Sequence, residues 1–281
     1  MPVVLAIFGA LSYGAGDFLG GIATKRIRES LGVVAVSSGV GVVIVFLLLP
    51  FTSGEATVAD MAWGAAAGVA GGIGVTVFYR ALAAGVMSIV APVTAVTSAV
   101  IPVAAGLAFG ERPGAVALAG VGLAIVAVAL LSHETAGAKE RAHASLRAVL
   151  PAALLAGVGF GAFFILLDRT GDGAGLWPLL ASRSTTLLLT AGIGVAAHRS
   201  LAIPVGSRAA VLGTGVLDMA ANVLFLVATR EGLLALVAVV VSLYPASTIA
   251  LAQLVLGERF ERHQLVGVAA AAVAVALIAA G

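Results

Sequence analysis

One long apolar segment of this sequence carries a carboxylate near its centre. Asp218 lies in GVLDMAANVLF (215–225), with Thr214 four residues before it and Asn222 four residues after it. Residues spaced by four lie on one face of an α-helix, so the three side chains form a polar stripe. A carboxylate inside a membrane is costly unless a partner or a cavity stabilises it. The stripe therefore predicts a substrate-binding or proton-carrying site, and a structural contact between helices is the alternative.

A second carboxylate, Asp17, lies off-centre in the first apolar segment, within SYGAGDFLGG (12–21). The neighbouring Tyr13 and Gly16 suit a close-packed polar wall, so Asp17 and Tyr13 are candidates for the same site. The alternative is a carboxylate near a helix end that contacts water.

Arg183 is the one basic residue inside an apolar segment, in LLASRSTT (179–186). It is a candidate for binding an anionic substrate or for pairing with a carboxylate such as Asp168. The alternative is a long side chain that extends to the membrane interface.

Two apolar segments combine proline with hydroxyl groups. They read IVAPVTAVTSAVIP (89–102) and VVSLYPASTIALAQ (240–253). Proline removes a backbone donor, so both segments are predicted to be kinked or broken helices. The predicted helix-breaking residues are Pro92, Pro102 and Pro245, and the site candidates beside them are Tyr244, Ser98 and Thr97.

The composition indicates a membrane protein. The chain is 61% hydrophobic and 10% charged, with a mean hydropathy of +1.17, whereas soluble domains are about 25% charged. The net charge of +2, without a long basic run, argues against a nucleic-acid partner. With no cysteine and no metal-ligand spacing among the histidines, we expect no metal and no cofactor. The expected partners are the lipid bilayer and a small-molecule substrate, and a homodimer is an open possibility.

Ten segments are apolar enough, at about 20 residues each, to cross a bilayer. The first has no basic residues before it, which favours a membrane helix over a cleaved signal peptide. The predicted spans are residues 3–22, 32–50, 62–79, 86–108, 115–131, 148–167, 177–197, 209–228, 233–256 and 264–280.

The sequence also repeats itself. Gly110-Glu111-Arg112 and Gly257-Glu258-Arg259 are separated by 147 residues, each after a proline-containing segment. The same offset places Tyr13-Gly14 on Phe160-Gly161. We therefore predict two five-helix repeats, at 1–131 and 148–281, joined by a linker at 132–147. Each triplet is predicted to form a tight corner between two helices.

Five crossings per repeat would insert the second repeat upside down, as in many transporters. The offset aligns Ala67, Gly71 and Val75 with Thr214, Asp218 and Asn222, so the polar site is expected in one half only. The glycines Gly64, Gly68 and Gly72 predict close helix packing.

The basic residues predict an orientation. Of fifteen Lys and Arg residues, eleven lie in odd-numbered loops and three in even-numbered loops. Basic loops stay cytoplasmic, so both termini are expected outside.

The sequence resembles the EamA-like branch of the drug/metabolite transporter superfamily over nearly its whole length. The resemblance rests on the two repeats, on FGER (109–112) and LGER (256–259), on YGAGDFLGG (13–21) and on Arg183. It implies an all-α integral membrane fold of ten helices, with a central cavity that exports or exchanges small organic solutes. Cytoplasmic termini are common in that family, in contrast to the charge pattern here.

The leading hypothesis is a secondary transporter of the cell membrane, not an enzyme. It would move a small organic metabolite or drug by alternating access, as an exporter coupled to protons or to exchange. An uncoupled facilitator is the alternative within the same class. A membrane scaffold without transport activity is the alternative from another class, and the carboxylate Asp218 argues against it.

Overall fold

A computed structural model of the chain describes residues 1–27, 29–83, 87–131, 139–256 and 262–281. Every regular element in these ranges is helical. Short 3₁₀ turns occur at Leu49–Phe51 and Asp172–Ala174. The α-helices are α1 (Pro2–Ile27), α2 (Ser30–Leu48), α3 (Val58–Ala83), α4 (Met87–Ala108), α5 (Ala115–Leu131), α6 (Lys139–Asp168), α7 (Trp177–Ala196), α8 (Val205–Glu231), α9 (Leu234–Val241), α10 (Pro245–Leu256) and α11 (Arg262–Ala280).

Six of these helices are long and apolar enough to cross a membrane: α1, α2, α3, α6, α7 and α8. Four shorter apolar stretches accompany them, at Val93–Ala108, Ala115–Leu130, Leu234–Thr248 and Leu265–Ala280. The predicted class, an all-helical membrane protein, is confirmed by these helices. The number of ten crossings stays a prediction because four of the stretches are short.

The three prolines predicted to break helices behave differently. Pro245 begins α10 after a turn that ends α9 at Val241, so the ninth predicted span is broken there. A proline at the first position of a helix loses no intrahelical hydrogen bond, which explains this placement. No helix ends at Pro92 or Pro102, because α4 continues through both, so the prediction of a break is wrong there and that of a kink stays a prediction. Neighbouring helices allow a membrane helix to tolerate an internal proline.

The predicted linker 132–147 is partly helical, because α6 begins at Lys139. The stretch KERAHASLR (139–147) contains good helix formers and neither glycine nor proline, which the prediction of a loop underestimated. Residues 132–138 and the second corner triplet at 257–259 lie outside the described residues.

The two halves of the chain pack against each other so that each contact between two helices recurs between their counterparts in the other half. In the first half, α1 packs on α8, and its counterpart α6 packs on α3 in the same way. The helices α2 and α7 pair with each other, as do α5 and α11, while α4 contacts α9. The predicted close packing is confirmed where Gly64 and Gly68 of α3 approach the backbone of Pro178 and Ser182 of α7.

Asp60 joins the two halves at one end of the bundle. Its Oδ2 accepts hydrogen bonds from the Thr57 backbone N–H at 2.8 Å and from Thr57 Oγ1 at 2.7 Å, which caps α3. Its Oδ1 accepts from the Gly171 backbone N–H at 2.7 Å, in the loop between α6 and α7. The Glu55 N–H donates to the Gly173 carbonyl in the same contact, at 2.9 Å. We call this end of the bundle the Asp60 face.

Glu111 lies at the same face and corrects the predicted role of the corner triplet. Its carboxylate accepts from the backbone N–H groups of Leu234 at 2.7 Å and Ala235 at 3.0 Å, at the start of α9. It therefore caps a helix of the other half, because the first turn of any helix leaves N–H groups without a partner. Only Arg112 stabilises its own corner, by donating to the carbonyls of Leu107 and Glu111. The corner turns at Gly110, whose φ of 101° is a glycine conformation.

Both ends of the chain lie at the Asp60 face. Pro2 packs against Gly232, which lies beside the start of α9 that Glu111 caps. The carbonyl of Gly281 contacts Gly114, in the loop that follows Glu111. Termini at one face require an even number of crossings between them.

Candidate functional site

A cavity lies between the two halves. Helices of both halves line it, and its surface combines three charged groups with hydroxyls and aromatic rings. Its lining residues are Tyr13, Asp17, Val34, Ser37, Ser38, Gly71, Val75, Tyr79, Ser98, Phe160, Phe163, Phe164, Ser182, Arg183, Thr186, Thr214, Asp218, Asn222 and Tyr244.

An ion pair between α7 and α8 forms part of the cavity wall. Arg183 Nη2 lies 2.7 Å from Asp218 Oδ2, and the exposed fractions of the two side chains are 12% and 29%. The prediction that Arg183 pairs with a carboxylate is confirmed, with Asp218 in place of the suggested Asp168, and the alternative of a side chain that extends to the membrane interface is wrong. The pair forms because Arg183, about two turns into α7, meets the centre of α8, where a charge needs a partner.

The other two residues of the predicted stripe on α8, Asn222 and Thr214, make different contacts. Asn222 is fully buried and donates from Nδ2 to the Asp218 carbonyl, while its Oδ1 has no partner within the described residues. Thr214 donates to the Ala210 carbonyl at 2.9 Å and to the Gly16 carbonyl at 3.3 Å. Thr214 thus ties α8 to α1, whereas Asn222 presents a free acceptor beside the cavity.

Asp17 lines the same cavity from α1. It is half-buried, and Tyr79 of α3 donates a long hydrogen bond of 3.5 Å to its Oδ1. Tyr79 is 2% exposed, and its ring packs against Gly20. Sequence reasoning missed Tyr79, although a tyrosine hydroxyl in an apolar helix usually finds a polar partner.

Two further predicted residues bring hydroxyl groups to the cavity. The Tyr13 and Tyr244 hydroxyls are buried, and neither has a hydrogen-bond partner in the part of the chain that the structure describes. Ser98 lines the cavity and donates to the Ala95 carbonyl at 3.0 Å. Thr97 instead packs against Gly157 of α6 and lies outside the lining.

An aromatic cluster forms the wall contributed by α6. The Phe164 ring lies 6.3 Å from the Tyr13 ring, 5.7 Å from Phe163 and 4.5 Å from Phe225. Sequence reasoning missed the lining residues Phe160, Phe163 and Phe164, because a phenylalanine in a membrane span carries no signal of which face it occupies.

The two halves contribute different polar groups to the cavity. Gly71 and Val75 of α3 line it at the repeat positions that correspond to Asp218 and Asn222. The ion pair and its amide neighbour therefore belong to the second half, while the first half contributes Asp17 and Tyr79.

The fold and site define a helical membrane protein whose two similar halves enclose a polar cavity. The chain belongs to the EamA-like transporter family, whose model matches residues 1–133 and again residues 147–280. A crystal structure of a protein with 15% sequence identity superposes with a TM-score of 0.78, over 98% of this chain and 95% of the other. At that identity the likeness shows the fold alone. No curated protein sequence matches the chain.

Proposed function

We propose that the protein is a secondary transporter that moves a small organic metabolite or drug through the cavity by alternating access. The observation that carries this proposal is the Arg183–Asp218 ion pair at 2.7 Å. It places two charged side chains, whose partners a substrate or a proton could replace, in a cavity between the two halves. Charged groups within a membrane span are expensive and typically mark a substrate or ion pathway. Export, coupled to protons or to exchange of solutes, is the mode we favour.

The reciprocal packing of corresponding helices in the two halves supports alternating access. The packing of α1 on α8 and of α6 on α3 is the pattern that a pseudo-twofold axis between the two repeats would produce. With five crossings in each of the repeats 1–131 and 148–281, that axis would lie in the membrane plane. Rocking of one repeat against the other would then expose the same residues to either side.

The geometry of Asp218 supports coupling. Its carboxylate is 29% exposed to the cavity, so Arg183, a proton and a substrate can compete for it. The same ion pair also supports the second candidate, an uncoupled facilitator. The intact ion pair has no net charge, so Asp218 requires no proton to be neutralised. In a facilitator the pair would only bind the solute.

The orientation in the cell membrane is also proposed. Both termini lie at the Asp60 face with the even-numbered loops, which carry three of the fifteen basic residues. The positive-inside rule would place the Asp60 face outside.

Proteoliposomes that contain a pH-sensitive dye test this proposal against a panel of metabolites. For the coupled transporter we expect one class of solute to evoke proton movement, which Asp218→Asn abolishes. Asp172→Asn, in the exposed 3₁₀ turn, is the matched control and should retain it. Solute uptake without proton movement would indicate the facilitator. The absence of any solute movement across the panel would contradict transport.

A further inference from the structure

We infer that the substrate is an organic cation with an aromatic or apolar body, and that its charged nitrogen binds Asp17 in exchange for a proton. This inference rests on the proposed transport function and adds the chemical class of the substrate. It follows from the charges, the unpaired polar atoms and the aromatic walls of the cavity.

The charge balance of the cavity favours a cation. Its three formally charged lining residues are Asp17, Asp218 and Arg183, which together carry one negative charge. Arg183 neutralises Asp218 at 2.7 Å. Asp17 has no ion pair among the described residues, and its one hydrogen bond there comes from Tyr79 at 3.5 Å. An unpaired carboxylate in a site of low dielectric constant is stabilised by a proton or by a bound cation.

The same arrangement disfavours an anion. Among the described residues, Arg183 is the one basic residue that lines the cavity; its Nη2 binds Asp218, and its buried Nε has no partner there. An anion at Nε would add a second negative charge to a lining that already carries one. Displacing Asp218 from Arg183 would leave a buried charge without its partner, which is strongly unfavourable.

Unpaired oxygen atoms support a ligand that donates hydrogen bonds. Asn222 Oδ1 is fully buried and has no partner within the described residues. The hydroxyls of Tyr13 and Tyr244 also have no hydrogen-bond partner within the described residues, and Tyr244 is 8% exposed. An ammonium group donates up to three hydrogen bonds and accepts none, so it matches a carboxylate beside free acceptors.

Aromatic rings suit the rest of such a ligand. Tyr79, which bonds Asp17, lines the cavity together with the aromatic side chains of Tyr13, Phe160 and Phe164. An organic cation is attracted to aromatic faces, and its apolar part gains by leaving water.

Proton exchange follows because the proton and the organic cation compete for the same carboxylate, that of Asp17. When the cation binds, the proton leaves Asp17 for the solvent, and one positive charge replaces another in the cavity. The titratable or charged groups that face Asp17 are Tyr13 on α1, Tyr79 on α3, Arg183 on α7, Asp218 on α8 and Tyr244 before α10. Asp218 already has Arg183 as its partner, so a cation competes more easily for Asp17, and we assign the exchange of cation for proton to Asp17. Asp218→Asn would still abolish proton movement, because it would free Arg183 to neutralise Asp17. Binding should therefore weaken as the pH falls and the carboxyl becomes protonated.

Size-matched probes of different charge test the inference. Isothermal titration of the protein in lipid nanodiscs would compare phenethylammonium, phenethyl alcohol, phenylpropionate and phenylalanine. We expect phenethylammonium to bind most tightly, to release a proton, and to lose about tenfold or more of its affinity in Asp17→Asn. Asp172→Asn, outside the cavity, should bind it like the unmodified protein, which also shows that the assay is sound.

Proteoliposome uptake of the same probes separates this inference from the proposed function. Tightest binding and uptake of phenylpropionate, phenethyl alcohol or zwitterionic phenylalanine would overturn the cation inference and leave transport intact. Phenethylammonium binding that Asp17→Asn leaves unchanged would also overturn the assignment to Asp17. If none of the four probes binds or moves, the cation inference is contradicted, and the metabolite panel described above decides separately whether the protein transports a solute.

Discussion

Arg183 Nη2 of α7 lies 2.7 Å from Asp218 Oδ2 of α8, and both helices pack against α2. The two residues are separated by 35 positions in the chain, from 183 to 218, and their pairing neutralises two charges inside a helical membrane bundle. The pair is not symmetric in its chemistry. A carboxyl group that loses its partner can take up a proton, whereas a guanidinium group stays charged.

This asymmetry predicts that Asp218→Ala destabilises the protein more than Arg183→Ala does. We expect Asp218→Ala to lower the free energy of unfolding by about 1–3 kcal/mol and Arg183→Ala to lower it by less. The double variant should cost less than the sum of the two. Unfolding in detergent micelles, followed by fluorescence of the two tryptophans, measures all three. Additive costs would show that the two side chains are not coupled.

Asp60 predicts a stabilising contact between the halves. In Asp60→Asn, a neutral amide replaces the carboxylate that accepts from Thr57 and Gly171. We expect the free energy of unfolding to fall by about 1–3 kcal/mol, because hydrogen bonds to a charged group are lost. The exposed Glu55 in the same loop supplies the control, and Glu55→Gln should stay within about 0.5 kcal/mol of the unmodified protein. Equal effects in the two variants would argue against the contact.

Glu111 predicts a graded capping series. Glu111→Gln retains one acceptor for the N–H groups of Leu234 and Ala235, and Glu111→Ala retains none. We expect the alanine variant to lose about 0.5–2 kcal/mol of stability and the glutamine variant to lie between it and the unmodified protein. Arg112→Ala, in the same corner, should have a smaller effect because Arg112 is exposed and contacts only nearby carbonyls. A larger loss in Arg112→Ala would contradict the capping role.

Two glycines of α1 provide a matched pair for helix packing. A Cβ on Gly14 would overlap Ser247 Oγ and the Tyr244 carbonyl, whereas a Cβ on Gly21 meets nothing within 4 Å. Gly14→Ala should therefore force α1 away from α10 and cost about 1–3 kcal/mol. Gly21→Ala should be neutral or slightly stabilising, because alanine is the better helix former. Similar melting temperatures for the two variants would disprove this close contact.

Helical periodicity explains what could be predicted from the sequence. Thr214, Asp218 and Asn222 share a face by spacing alone, and the 147-residue repeat predicted which segments correspond. The break at Pro245 also followed from local chemistry. These features depend on short-range geometry or on comparing the chain with itself.

The remaining features depend on which helices meet, and the sequence does not encode that locally. Glu111 binds the backbone 123 positions away at Leu234, in the other half. Tyr79 reaches Asp17 from a different helix, 62 positions away. The sequence predicts that Arg183 binds an anionic substrate, pairs with a carboxylate such as Asp168 or extends to the interface. Its partner in the structure is Asp218 of α8, because α7 and α8 both pack on α2. Such pairings become visible only once the bundle is assembled.

Access to the cavity is the most direct test of the proposed transport route. The chain contains no cysteine, so Val75→Cys introduces a single thiol at a lining position that is partly exposed. A membrane-impermeant thiol reagent would be applied to sealed vesicles of either orientation, with Ser200→Cys in an exposed loop as the control. Alternating access predicts that the thiol at position 75 reacts from both sides and that the thiol at position 200 reacts from one. Reaction at position 75 from only one side, or from neither, would contradict a transport route through this cavity.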